Sequence, residues 1–162
     1  KNTSVKAILI THNHYDHIDG LETIRAATGA PVGAHSAGAE ELPIALDLSL
    51  TDGDTVTAGT VTITALHTPG HTPGATCYLT GKHLFTGDTL FPGGPGATRT
   101  PETLQESLQS ITSKLLVLPE HTLVYPGHGD DTTIGKAKEE YAVFASRPHP
   151  PDLCGNVVWL SS

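Results

Sequence analysis

The chain has 162 residues, of which 37% are hydrophobic and 16% are charged, and no low-complexity tract interrupts it. That length and composition fit one globular unit, so a single domain is expected over residues 1–162. The formal net charge of −8 argues against a nucleic-acid partner. No apolar stretch is long enough for a membrane span, and the N-terminus shows no signal-peptide pattern. A small-molecule partner is therefore expected, and the oligomeric state is left open.

The first half of the chain predicts short strands and one helix. Runs rich in Val, Ile and Thr, bounded by turn signals, predict strands over 5–10, 31–35, 55–57 and 60–67. The last two of these strands form a hairpin. Apolar residues at helical spacing predict a helix over 18–27, and a helical turn is expected over 37–42.

The second half predicts another hairpin, one further strand and two longer helices. The strands cover 75–80, 83–86 and 122–125, and the first two meet at Gly81-Lys82. One helix begins at Pro101 after the N-cap Thr100 and continues along an apolar stripe to Leu115. The other covers 133–144. A Gly/Pro loop is expected over 92–98, and an irregular tail from about residue 147.

The two cysteines, Cys77 and Cys154, are too few for a disulfide framework. Cys77 lies in an apolar run, where the expected role is that of a small buried hydrophobic side chain. Free cysteines fit a reducing compartment, so a cytoplasmic location is predicted.

Seven side chains of metal-binding type fall in loops that follow predicted strands. They are His12, His14, Asp16, His17, His71, Asp88 and His128. Four of them stand within six consecutive positions, which is hard to explain as chance placement on a surface. Loops at strand ends are where a rigid scaffold carries chemistry, so the seven predict one buried metal site.

The spacing of these residues indicates how two ions could be shared. His12 and His14 are two residues apart, so in extended backbone both side chains point the same way and can hold one ion. Asp16 and His17 can face a second ion if the chain turns into a helix near Ile18. Glycine precedes each of the three downstream candidates, which lets backbone pass close to a crowded site.

Imidazole nitrogen and carboxylate oxygen suit zinc, and also iron or manganese, so two divalent metal ions are the expected cofactor, with zinc favoured. Such a pair produces hydroxide at neutral pH, which predicts a metal-dependent hydrolase. His35 and His67 lie outside this pattern and are candidates only for supporting the ligands.

The run 11–17 contains the pattern His-x-His-x-Asp-His and resembles the signature of the metallo-β-lactamase superfamily. The likeness covers nearly the whole chain. Within the superfamily the chain is most similar to the glyoxalase II-like hydrolases (hydroxyacylglutathione hydrolases), through residues 67–74, 85–91 and 124–129.

The resemblance implies a role for each of the seven residues. One metal would be held by His12, His14 and His71, the other by Asp16, His17 and His128, with Asp88 bridging both. Asp16 and Asp88 are the expected catalytic residues, and Asp16 would also orient the attacking hydroxide. The implied reaction is hydrolysis of a thioester or related ester by a metal-bound hydroxide. Many β-lactamases of the family carry cysteine in place of Asp88, which disfavours lactam hydrolysis.

The substrate-binding positions depart from the glyoxalase II pattern. Those enzymes place Glu-Tyr after the last metal histidine, where this chain has Gly129-Asp130. They usually carry Gly-Arg where this chain has residues 92–96. Arg99 is the one nearby cation and is the candidate for binding a substrate carboxylate. The physiological substrate is left open.

The family fold is a four-layer αβ/βα sandwich of the mixed α/β (α+β) class, and this fold is expected here. The family places several strands ahead of the signature, so the N-terminal strands are expected to be missing from this chain. Three alternatives to thioester hydrolysis remain. One is a mononuclear iron persulfide dioxygenase using His12, His71 and Asp88. The others are a lactonase or phosphodiesterase-type hydrolase and an inactive fragment.

Overall fold

Two main β-sheets, a small two-stranded pair and the helices that cover the sheets form the fold in the computed structural model, which describes residues 4–162. The strands are β1 (Ile8–Leu9), β2 (Val32–His35), β3 (Leu48–Leu50), β4 (Thr55–Ala58), β5 (Val61–His67), β6 (Thr76–Thr80), β7 (His83–Gly87), β8 (Leu90–Phe91), β9 (Gly94–Pro95), β10 (Leu123–Pro126) and β11 (Thr132–Thr133). The helices are α1 (Tyr15–Ile18), α2 (Leu21–Thr28), α3 (Pro101–Ser110) and α4 (Ile134–Ala145). A 3-10 turn covers Ser36–Glu41, and a π-helical turn covers Ile111–Leu115.

The strand order brings several loops to one edge. The first sheet is parallel, with the order β1-β2-β3. The second has the order β11-β10-β7-β6-β5-β4, in which β7 and β10 are parallel and β6 is antiparallel to both β5 and β7. Therefore β5, β7 and β10 all end at the same edge. A hydrogen bond joins the loop after β1 to that edge: the N–H of Thr76 donates to the carbonyl of Thr11 at 2.9 Å.

Side chains that alternate between the two faces of each strand form three apolar layers. In β1 and directly after it, Ile8 and Ile10 face the α2 side with Leu21, whereas Leu9 faces the other way and packs with Tyr78 of the second sheet. The outer face of the second sheet is covered by α3, the π-helical turn and α4 around a core that includes Leu84 and Trp159. The chain is thus a four-layer sandwich of helix, sheet, sheet and helix, which confirms the predicted fold class. The strands expected ahead of residue 1 stay a prediction.

Two element boundaries in the first half of the chain were predicted wrongly. The strand expected over 5–10 is reduced to β1, because its pairing with β2 extends over only two residues. The helix expected over 18–27 is two helices, since α1 ends at Ile18 and α2 begins after Gly20. The predicted helix at Ile24 and Arg25 does form, although Ile24 is 49% exposed and Arg25 forms an ion pair with Asp47.

Both hairpins and both later helices are confirmed. Thr100 caps α3 through a capping box with Thr103, and Pro101 stands at its first position. The strands β3 and β11 and the small pair of β8 with β9 were not predicted. The tail is irregular as expected, but Trp159 in it is fully buried. No helix in the described range 4–162 combines the length and apolar character that crossing a bilayer requires.

Candidate metal centre

All seven predicted metal-binding residues come together at the edge where β5, β7 and β10 end. Their possible ligand atoms form three groups, each with all atoms within 4.8 Å of one another. These groups are His12 with His14 and His71, His12 with His17 and Asp88, and Asp16 with His17 and His128. Asp16 and His17 face the centre because α1 turns the chain directly after His14. We call His12, His14 and His71 the first ligand set, and Asp16, His17 and His128 the second.

In the first ligand set, hydrogen bonds orient the rings. Nδ1 of His71 donates to the carbonyl of Ala97 at 2.7 Å, which leaves Nε2 with a free lone pair. That Nε2 lies 3.0 Å from Nδ1 of His14. Nδ1 of His12 lies 3.1 Å from the Thr11 hydroxyl, so its Nε2 faces the same space. The set can present three imidazole nitrogens to one ion.

The second ligand set is equally close but lies nearer to solvent. Nε2 of His17 and Nε2 of His128 are 3.1 Å apart, and Oδ2 of Asp16 lies 3.0 Å from the latter. The side chains of Asp16 and His128 are 57% and 54% exposed. Desolvation raises the pKa of Asp16, but a backbone hydrogen bond and nearby His17 and His128 outweigh it, and the pKa is lowered.

Asp88 lies between the two sets. Its Oδ2 is 3.8 Å from Nε2 of His71 and also 3.8 Å from Nε2 of His128. Its Oδ1 is 3.3 Å from Nε2 of His17. One carboxylate therefore reaches both ligand sets, as a bridging ligand must.

Two buried atoms show that the site suits cations. Nε2 of His12 and Oδ1 of Asp88 are buried and make no hydrogen bond. Leaving such atoms without a partner is costly, and a metal ion would satisfy both. Burial, followed by the nearness of His17, His71 and His14, lowers the pKa of His12 to about 3. Burial also lowers the pKa of His71, against the opposing bond to Ala97. Neutral imidazole is the form that binds metal.

Glycines before the ligands are required by the crowding, as predicted. A side chain at Gly127 would collide with Asp88 and would approach His17 to 2.5 Å. Gly87 has φ +49° and packs on Thr11, where a Cβ would lie 2.6 Å from the hydroxyl. Any larger residue at either position would push the ligand loops apart.

Arg99 lies in a cleft beside the first ligand set, and its side chain forms no ion pair with either set among the described residues. It is exposed and lines a cleft of about 280 Å³ whose walls include His14 and His71. Glu41 and Glu106 also line this cleft, and Asn13 donates a hydrogen bond to Glu41. We call this the Arg99 cleft.

Sequence reasoning missed several residues that shape the centre. Thr11 and Ala97, which orient the rings of His12 and His71, have no recognisable sequence pattern. Threonine is common at strand ends, and Ala97 acts through its backbone carbonyl. The tail residues 156–158, which line a second cleft at the centre, were also missed. The burial of Val157 and Trp159 could have been suspected from apolar residues in a Pro-rich tail. His35 and His67 stack on each other, with ring centroids 3.7 Å apart, and belong to neither ligand set.

The fold and the clustered ligands together define a protein built around a centre for divalent metals, on a four-layer αββα scaffold. The family model of the metallo-beta-lactamase superfamily matches residues 1–128. The chain belongs to this superfamily, which confirms the resemblance drawn from the signature and implies divalent metal ions as cofactors.

Individual relatives are similar over most of the chain. A hydroxyacylglutathione hydrolase of Pseudomonas putida (strain W619) is 40% identical over 88% of this chain and 54% of its own length. ETHE1 from Myxococcus xanthus has a TM-score of 0.79 and 32% identity over 91% of this chain and 66% of its own. The BLEG-1 B3 metallo-beta-lactamase has a TM-score of 0.73 and 35% identity over 83% of this chain and 74% of its own length. The chain spans about half the length of the hydroxyacylglutathione hydrolases it matches.

Proposed function

We propose that the chain is a metal-dependent hydrolase of thioesters, with two divalent metal ions at the centre and zinc as the favoured metal. The observation that carries this proposal is the position of Asp88, which reaches both ligand sets. A lone ion would need only one set, whereas the second set and the carboxylate between them suit a pair. The likeness to a hydroxyacylglutathione hydrolase supports a thioester as substrate.

Each metal would be held by one ligand set, and Asp88 would be shared. Divalent cations in such a centre supply Lewis acidity, which lowers the pKa of a water toward neutrality and polarises a carbonyl oxygen. Asp88 keeps the two ligand sets in register, and its charge offsets part of the positive charge gathered there.

Asp16 has a role beyond binding. Its pKa is lowered, so the carboxylate is anionic at neutral pH. Its exposed oxygens can accept a hydrogen bond from the attacking water and fix the direction of attack. The leaving thiolate needs no acid, because the pKa of a thiol is only about 8.5. This is why the centre can act on a thioester without a separate proton donor.

Arg99 is proposed to hold an anionic group of the substrate. It is the one cation lining the Arg99 cleft among the described residues, and the cleft opens at His14 and His71. A carboxylate on the thiol part of the substrate would meet the guanidinium there while the thioester carbonyl lies at the metals.

The test is a substrate panel with protein of defined metal content. It should contain thioesters that include S-lactoylglutathione, a lactone, a phosphodiester and a β-lactam, since a B3 lactamase is among the similar structures. We expect thioester cleavage that is lost with chelator and restored by zinc. Asp88→Ala should lose metal and most activity. Protein with two metals that cleaves no thioester would refute the proposal.

A second candidate function is the mononuclear iron persulfide dioxygenase. The likeness to ETHE1 favours it, and His12, His71 and Asp88 lie close enough to share one ion. Metal analysis separates the two functions. One iron per chain, with oxygen consumed on glutathione persulfide, would select the dioxygenase, and two zinc ions per chain would select the hydrolase.

A further inference from the structure

A second cleft, of about 300 Å³, opens at the metal centre. His71 and Asp88 line it, and of these His71 is shared with the Arg99 cleft. Its other walls are the loop 91–97 and the tail residues 156–158. The volume equals that of about ten water molecules, which is enough for an acyl group of several carbons.

The walls of the two clefts differ in chemistry. The Arg99 cleft carries an arginine and two glutamates. In the second cleft, Asp88 is the one acidic or basic side chain apart from His71 among the described lining residues. The rest of its lining is apolar side chain or glycine backbone, with Asn156 as the single amide. Its apolar side chains include Phe91, Pro95 and Val158.

This second cleft is a built feature with buried anchors. The backbone N–H of Gly93 donates to Glu140, a residue only 6% exposed, at 2.8 Å. The Gly93 carbonyl accepts from the N–H of Trp159 at 2.8 Å. A Cβ on Gly94 would lie 2.5 Å from the carbonyl oxygen of Val157, so loop and tail can meet only through glycine. The two walls therefore hold a fixed separation.

We propose that this second cleft is the acyl site, and that it selects thioesters with an uncharged, apolar acyl group of a few carbons. The inference rests on the proposed thioesterase function. His71 lines both clefts, so a carbonyl placed there would direct its two substituents into different clefts. The anionic thiol part suits Arg99, and the acyl part enters the apolar cleft. Asp88 and His71 belong to the metal centre, so a hydroxyl on the acyl group would find only the Asn156 amide as a polar side chain among the other described walls.

The first experiment varies the acyl group on one thiol carrier. From acetyl to hexanoyl, we expect kcat/KM to rise about fourfold for each added methylene. This factor corresponds to the free energy of transferring one CH₂ group out of water. It should fall for hexadecanoyl, because a cleft with the volume of about ten water molecules cannot hold so long a chain. The propanoyl thioester should be cleaved faster than the lactoyl thioester, which differs by one hydroxyl. A flat series, or a preference for lactoyl, would overturn the acyl-site assignment.

The second experiment narrows the cleft. Val158 is 47% exposed, so Val158→Trp can fill the space without entering the core. The matched control is Val61→Trp, because Val61 is 46% exposed and begins β5 at the end opposite the metal centre. We expect the hexanoyl to acetyl ratio of kcat/KM to fall at least about tenfold in Val158→Trp and to stay unchanged in the control. Equal ratios in both variants would contradict the proposal.

A binding measurement separates this inference from the proposed function. Hexanoate and acetate are titrated into the zinc-loaded protein by calorimetry, with no reaction required. Hexanoate should bind more tightly than acetate, and Val158→Trp should abolish the difference while Val61→Trp keeps it. If no thioester is cleaved but this pattern holds, the proposed function fails and the acyl site stands. Equal binding of both acids overturns the acyl site whatever the activity.

Discussion

The two ligand sets contain similar donors but stand in different environments. His12 is 4% exposed, and the side chain of His71 is 8% exposed. Asp16 and His128 have more than half of their side chains exposed. His12 is buried in the loop directly after β1, whereas His128 stands in a loop that continues through Gly129 at φ +72°.

The difference predicts unequal binding of the two ions. The first set is oriented by Thr11 and Ala97, so little freedom is lost when its ion binds. The second set must order two exposed side chains, which costs conformational entropy. We therefore expect the first set to bind its ion more tightly and the second to lose its ion first when metal is limited.

The largest effect should come from breaking the first set. His12→Ala removes a buried ligand, and the ion of that set should be lost. Charge stabilisation by a metal amounts to several kcal/mol, so activity should fall roughly 10³-fold or more. Metal content by elemental analysis and thioester kinetics measure both effects. His121→Ala, at an exposed histidine outside both sets, is the control and should change neither quantity.

A smaller effect is expected from the second set. His128→Ala removes a ligand, so it should weaken the second ion by roughly 100-fold or more, since losing a mere supporting group can already cost about that much, and it should leave the first ion bound. Metal content should therefore drop from two ions per chain to one under dilute metal. Excess zinc should restore part of the activity. Loss of both ions in His128→Ala would show that the two sets bind as one unit and would remove the distinction between them.

The clustering of the candidate ligands could be predicted from the sequence because their spacing is local. His12 and His14 alternate within three residues, and the downstream candidates each follow a glycine at a strand end. Where strands end is a property of short apolar runs, which can be read without the rest of the fold. The alternation of Ile8, Leu9 and Ile10 between two layers follows from the same rule.

The walls of the clefts could not be predicted in the same way. β8 and β9 have two residues each, too few for any periodicity, and pair through Leu90 with Pro95 and Phe91 with Gly94. Contact between Gly94 and Val157 joins residues far apart in sequence, and neither residue type signals the other. Substrate selection depends on such long-range contacts, so the sequence indicates the chemistry of the centre more clearly than the substrate.

Acid should lower the stability of the metal-free protein through the buried histidine of the first set, His12. The pKa of His12 is about 3 in the folded chain, against an ordinary value of 6.5, so the unfolded chain binds more protons between these two values. The stability contributed by neutral His12 is complete above pH 6.5 and is lost as pH falls towards 3. Protonation of this group should lower the equilibrium constant for folding by at most about tenfold for each pH unit of acidification. Urea unfolding of metal-free protein between pH 7 and 4.5 measures it. His12→Asn should flatten the dependence, and an unchanged slope would show that His12 is not the group responsible.

The mildest change leaves all seven ligands in place and removes one support. Thr11→Val keeps the shape of the side chain that packs on Gly87 but deletes the hydroxyl 3.1 Å from Nδ1 of His12. Loss of such a partner should weaken the first ion about tenfold, since it frees the ring to rotate. Competition with a chromogenic chelator measures the two binding constants separately. Thr57→Val, at an exposed position in β4, is the control. If Thr11→Val weakened the second ion as much as the first, the support would act on the whole centre, and the tighter binding of the first set would need a cause other than Thr11.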